Sequence, residues 1–307
     1  MRWQGRRGSD NIEDRRGGDN IVDRRGGAVE GGGGRRISLG GAGGLGLLAL
    51  GLAGWIFGID LTPLLNSDGL HGNGMPRESA PQVQEGGALS ARDRAMGDFV
   101  SVTLADTEEI WAGLFRNDLG RVYHPAVLVL FSQVTRSPCG TASGATGPFY
   151  CPADGKVYLD TAFFDTLSQE LGAAGDFAAA YVVAHEIGHR VQDELGLLDK
   201  VEAARATADP ATANALSVRL ELQADCLAGI WAHHAAADFG TLERGDVAEA
   251  MTAAARIGDD TLARNAGRRP MPDSFTHGSS DQRQFWFARG FTTGQIASCD
   301  SFARRTP

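Results

Sequence analysis

Cysteine is scarce in these 307 residues: four are present, at 139, 151, 226 and 299, with no CxxC pair among them. That spacing excludes a zinc knot built on thiolates. Basic charge is also in deficit. Lys and Arg number 29 against 38 Asp and Glu, a formal net charge of −9. Residues 1–36 hold nine arginines against six acids, so the remaining chain carries −12. A body so acidic is not a nucleic-acid-binding domain, and no nucleic-acid partner is expected. What is plentiful is apolar: hydrophobic residues make up 42% and charged residues 22%, which excludes wholesale disorder.

The chain reads as several parts in series. Residues 10–18 and 19–27 form an imperfect nine-residue repeat, Asp10-Asn11-Ile12-Glu13-Asp14-Arg15-Arg16-Gly17-Gly18 followed by Asp19-Asn20-Ile21-Val22-Asp23-Arg24-Arg25-Gly26-Gly27. Two copies with so few apolar side chains build no solenoid, so residues 1–36 are expected to be a disordered, Arg/Gly-rich cytoplasmic tail. Residues 37–59 carry no charge, follow Arg35 and Arg36, and are long enough to cross a bilayer. They are expected to form one transmembrane helix with the N-terminus in the cytoplasm and the body outside it. Gly40/Gly44 and Gly54/Gly58 have the small-xxx-small spacing of self-associating helices. Residues 60–90 read as a flexible linker and 91–307 as the globular domain.

Within that domain, helices are expected over 91–115, 162–172, 176–195, 212–238, 243–256 and 281–290, and strands over 126–131 and 156–160. Strands first and helices after give an α+β class. An even cysteine count in the part assigned outside the membrane permits two disulfides. Cys139 and Cys151 flank a loop of small residues and Pro, which favours that pair and leaves Cys226 with Cys299.

Chemistry is concentrated in Tyr181-Val182-Val183-Ala184-His185-Glu186-Ile187-Gly188-His189. On a helix, residues four apart project from one face one turn apart, so His185 and His189 can share a metal ion. Glu186 lies about 100° round the helix, beside the ion rather than on it, suited to take a proton from metal-bound water. A catalytic zinc wants a third protein ligand and one open position. Glu221-Leu222-Gln223-Ala224-Asp225 places Glu221 and Asp225 on one helical face. Glu221 is the candidate ligand, and Asp225 the carboxylate that orients a ligand histidine. His233 and His234 are twelve and thirteen residues further on, at least about 18 Å along a helix, too far to share an ion with Glu221. His277, in a loop before the last helix, is a candidate donor to a developing oxyanion.

These motifs resemble the bacterial putative neutral zinc metallopeptidase family. The likeness is carried by Ala105-Asp106-Thr107-Glu108-Glu109-Ile110-Trp111, by Gly147-Pro148-Phe149-Tyr150-Cys151-Pro152-Ala153-Asp154 and by His185–His189 with Val191-Gln192. It continues through Glu221–Cys226, Gly258-Asp259-Asp260 and Phe275-Thr276-His277-Gly278. The ExxxD spacing is also similar to thermolysin-like gluzincins. The resemblance implies a zincin-like domain, a mostly helical body with a small sheet, in which Val157–Asp160 is the candidate edge strand that holds substrate. It implies one catalytic Zn2+ on His185, His189 and Glu221, with Glu186 as general base, His277 at the oxyanion and Asp225 in support. The expected function is a membrane-anchored zinc endopeptidase of the bacterial cell membrane, acting on peptide or protein substrates. The rival expectation is a catalytically inactive, zinc-binding, membrane-tethered interaction protein, against which Glu186 argues by accompanying the ligands.

Overall fold

A computed structural model describes residues 1–16, 89–143 and 146–303. The elements, in chain order, begin with β1 (Ile12–Asp14), α1 (Ala91–Leu119), β2 (Val127–Phe131), β3 (Val134–Ser137), β4 (Gly140–Ser143), β5 (Phe149–Cys151) and β6 (Lys156–Asp160). They continue with α2 (Asp176–Glu194), α3 (Leu198–Arg205), α4 (Pro210–Ala237), α5 (Asp246–Arg256), α6 (Asp259–Asn265) and α7 (Ser280–Thr293). The described chain is mostly helical with a small sheet, an α+β fold.

The main sheet has the order β1-β2-β6-β5, with β1, β2 and β6 parallel and β5 antiparallel to β6. Its central strands are buried on both faces, which is why Val127–Phe131 and Val157–Leu159 read as continuous apolar runs. Leu128, Leu130, Val157 and Leu159 join the helical core with Trp111, Phe115 and Phe177. Val129, Phe131 and Tyr158 face the other way, onto a patch closed by Ala142 and the Cys139–Cys151 disulfide. The second disulfide joins Cys226 to Cys299. Cys139–Cys151 is the pair that loop composition favoured, and Cys226–Cys299 the pair it left.

Two expectations about local structure are corrected. The candidate edge strand Val157–Asp160 lies inside the sheet, between β2 and β5. The edge on that side is β5. The segment 162–172 is not one α-helix: a short turn, Phe163–Asp165, passes into a π-helix, Thr166–Glu170. Gly172 follows in the left-handed region (φ 69°).

The start of the chain departs furthest from expectation. Residues 1–16 are not a solvated tail but an arm packed on the domain. Ile12, Glu13 and Asp14 pair in parallel register with Leu128, Val129 and Leu130. Glu13 accepts from Lys156 Nζ at 2.7 Å, Ser9 and Asn11 both donate to Glu108, and Arg6 pairs with Asp106. The α-ammonium of Met1 sits 2.8 Å from Asp176, 3.2 Å from Glu243 and 3.3 Å from Asp246. The arm is held by strand pairing and by polar bonds of both signs to the domain, an arrangement that composition alone does not distinguish from a solvated tail.

That packing overturns the expected localisation. A single crossing between the arm and α1 would put residues 1–16 and the domain on opposite sides of the membrane, yet they form one body. Among the described residues no helix is long and apolar enough to cross a membrane. The expected transmembrane helix, 37–59, with its glycine pairs, and all but the last two residues of the 60–90 linker lie outside the described residues.

Asp106 gives the arm a pH signature. Burial raises its carboxyl to about 6, against the lowering influence of Arg6. A carboxyl with a raised folded pKa contributes stability below its unfolded value, near 3.9, and that contribution disappears as pH rises through the folded value. Asp106→Asn removes this dependence. Between pH 4 and 7 the stability of the variant is expected to rise relative to wild type by up to about 3 kcal/mol, read from urea midpoints.

Candidate metal centre

The centre is built on α2, whose residues from Phe177 to Gly188 are all buried. A helix apolar nearly all round belongs in the interior. This one carries His185 (6% exposed) and Glu186 (8% exposed) into it. Gly188 lets α4 approach: a Cβ there would stand 3.0 Å from the Ala224 carbonyl oxygen and 3.2 Å from its Cα. That close crossing sets Glu221, one turn before Ala224, against the two histidines.

Glu221 Oε2 lies 3.1 Å from His185 Nε2, and its Oε1 lies 3.6 Å from His189 Nε2. Ligand atoms of the three residues all fall within 4.8 Å of one another. Each imidazole is oriented from its far nitrogen. His185 Nδ1–H donates to Asp225 Oδ1 at 2.9 Å. His189 Nδ1 faces Gln192 Oε1 at 2.9 Å. The Gln192 amide is itself fixed, because its Nε2 donates to Leu220 O and Gln223 Oε1. Both histidines therefore offer Nε2 toward Glu221. Two imidazoles and a carboxylate, with far nitrogens tied, are the donor set of a catalytic zinc site, and the residues fit that ion.

The electrostatics follow from burial. Desolvation works to lower the His185 pKa, but the Asp225 charge, its hydrogen bond and Glu221 outweigh it and raise it to about 10. Burial works to raise Glu221, yet the charges of His189 and His277 and the His185 hydrogen bond hold its carboxyl well below the usual range. This is a site in which carboxylates stay ionised and cationic charge is welcome.

Arg283, on α7, is the residue that reading the sequence missed. Its guanidinium grips Asp225 with two bonds, Nε to Oδ2 and Nη2 to Oδ1, both 2.9 Å. Nη2 also donates to the Tyr181 hydroxyl at 3.2 Å, and that hydroxyl bonds to Asp225 Oδ1. Arg283 is 2% exposed and Asp225 fully buried. Glycine permits the geometry again: a Cβ on Gly290 would overlap the Cys226 carbonyl oxygen at 1.9 Å, so α7 and α4 touch backbone to backbone.

His277 lines the same cavity as His185, Glu186, His189 and Glu221. Its loop is fastened by Asp259, a second residue that received no role from the sequence. Asp259 Oδ2 accepts the backbone N–H groups of Thr276, His277 and Gly278 at 2.7, 2.8 and 3.1 Å, and Oδ1 faces His277 Nδ1 at 3.1 Å. Burial works to lower the His277 pKa, but the Asp259 bond and the Glu221 charge raise it. All six residues singled out from the sequence thus meet in one place. His233 and His234 do not. They bond to Phe291 O and Gly294 O at the far end of α4. A second acidic cluster, Asp176, Asp246 and Glu249, sits where the Met1 ammonium already supplies positive charge.

Comparison with known proteins places the chain in a family. Over 304 residues the chain is 46% identical to the uncharacterized protein YpfJ of Escherichia coli strain K12, covering 99% of each. It is 43% identical over 184 residues to the uncharacterized protein Rv2575 of Mycobacterium tuberculosis strain H37Rv, covering 57% of this chain and 61% of that one. No solved structure matches. A family model described as "Putative neutral zinc metallopeptidase" matches residues 1–302, and the chain belongs to that family.

Proposed function

We propose that the protein is a zinc-dependent endopeptidase with a zincin-like arrangement, in which His185, His189 and Glu221 hold one zinc ion. Zinc so held supplies Lewis acidity and lowers the pKa of a bound water to about 7. Glu186, beside His185 on α2, takes the proton of the attacking water and returns it to the leaving amine. Asp225 and Gln192 hold both imidazoles by Nδ1, so that Nε2 faces Glu221 and would bind the ion on giving up its proton. His277, its Nδ1 held by Asp259, donates from Nε2 to the oxyanion. β5, the outer strand of the sheet beside the cleft, offers an edge to which an extended peptide can add.

The observation that carries this reading is the approach of Glu221 to two histidines whose far nitrogens are already engaged. A carboxylate pair exposed on a helix would have no reason to sit there. Removal of metal with a chelator is expected to abolish hydrolysis of an unfolded protein substrate, and one equivalent of zinc to restore it. Digestion that persists in metal-free protein contradicts the assignment.

A further inference from the structure

We propose that the cleft accepts, next to the bond to be cut, a large apolar side chain from an extended or unfolded polypeptide. This inference rests on the peptidase reading above and adds the class of substrate. The cavity that contains the metal centre measures about 550 Å³, within the range of sites that enclose a ligand. Its lining includes the cluster of histidines and carboxylates already described, together with an apolar set of Phe149, Phe163, Leu171, Val182, Leu198 and Ile257.

Val182 fixes the relation between the two sets. It precedes His185 by three residues and Glu186 by four, and such neighbours share a helix face. The apolar wall therefore begins one helical turn from the general base. A peptide whose scissile carbonyl lies beside Glu186 carries its neighbouring side chain onto that wall. The other five wall residues come from separate parts of the chain: β5, the two ends of the short helical segment after β6, the start of α3 and the residue after α5. Phe163 and Val182 are buried, while Phe149, Leu171, Leu198 and Ile257 are half-buried and open to a ligand.

Charge narrows the choice further. Among the described lining residues the one guanidinium is Arg283, and it is committed to Asp225. Asp199 and Glu202, on α3, also line the cavity, with Glu202 already paired to Arg205 at 3.1 Å. An acidic side chain laid on this apolar wall would lose its hydration there, and Arg283 is not free to compensate it. A large apolar one would exchange water for an apolar wall. Such side chains are buried in folded proteins and presented by unfolded ones, which sets the state of the substrate.

The test uses the full-length, zinc-loaded protein and internally quenched peptides identical except for one position, occupied by Leu, Phe, Ala or Asp. Cleavage is expected beside Leu and Phe, with kcat/KM about 100-fold or more above the Ala peptide, since each methylene in such a pocket is worth about 10–200-fold. The Asp peptide is expected to be poorest. Leu198→Ser is expected to lower the Leu-to-Ala ratio. Binding of the same peptides to zinc-loaded Glu186→Gln, read by calorimetry, should favour Leu over Ala at least about tenfold. Cleavage of all four peptides at similar rates overturns the pocket assignment and leaves the peptidase reading standing. Apolar-selective binding with no cleavage by wild type does the reverse. Neither cleavage nor selective binding overturns both.

Discussion

Glu186→Gln lowers peptide hydrolysis by about 10²–10⁴-fold, the usual worth of a positioned general base. The amide fills the same space as the carboxylate, but it cannot accept the proton of an attacking water. Glu186 is outside the cluster of ligand atoms formed by His185, His189 and Glu221, so zinc content and melting temperature are expected to stay at the wild-type values. The combination is diagnostic. A loss of zinc with activity would make Glu186 a ligand, and wild-type turnover with full zinc would remove it from the chemistry.

Arg283→Met is expected to cost about 3–5 kcal/mol, because it strands a fully buried carboxylate beside His185. For a domain of this size that is a fall of roughly 6–20 °C in melting temperature. The effect reaches the metal through Asp225, whose hydrogen bond fixes His185. Loss of such an outer partner typically weakens metal affinity by about 10–100-fold. A competition titration of zinc against a chelator reads this separately from stability. Replacing Asp225 as well, in Asp225→Leu with Arg283→Met, removes the stranded charge and is expected to recover part of the stability. It should not recover the zinc affinity. Single and double variants as stable as wild type would show that the ion pair does not hold α4 and α7 around the site.

The contrast between Glu221 and Arg283 explains how far the site can be read from sequence. The place of Glu221 beside the histidines was legible because it has a short-range signature: a carboxylate four residues before another acid in an apolar helical segment, downstream of HExxH. Arg283 carries no such mark. A lone arginine near the start of a mixed-polarity helix looks solvated, and only the folded chain shows that Gly290 brings it onto Asp225. Asp259 was hidden for a similar reason. An acid at the start of a short helix reads as a partner of the helix dipole, whereas here its carboxylate binds three consecutive backbone amides some 17–19 residues on.

In the fold, the elements legible in advance were those whose pattern is set by burial within the element itself. β6 and α2 lie within one residue of their expected ends because continuous apolar runs specify them. β1 was not legible, since three residues with two acids have little strand preference of their own and form a strand only by pairing with β2. The choice of Val157–Asp160 as an edge ran against the pattern that identified it as a strand, because an apolar run of that kind belongs to a strand covered on both faces. The true edge, Phe149–Cys151, is three residues long and gives almost no periodic signal. Chain topology was misjudged from a sound local reading of an uncharged segment, since no local pattern announces that residues 1–16 return to the domain.

The central claim, that Glu221 completes a metal centre with His185 and His189, is tested most directly by anomalous diffraction at the zinc edge on crystals of the reconstituted protein. One ion is expected, with Nε2 of both histidines at about 2.0–2.1 Å and a Glu221 oxygen at about 2.0–2.2 Å. An ion bound elsewhere, or one held by the histidines with the Glu221 carboxylate turned away, would contradict it.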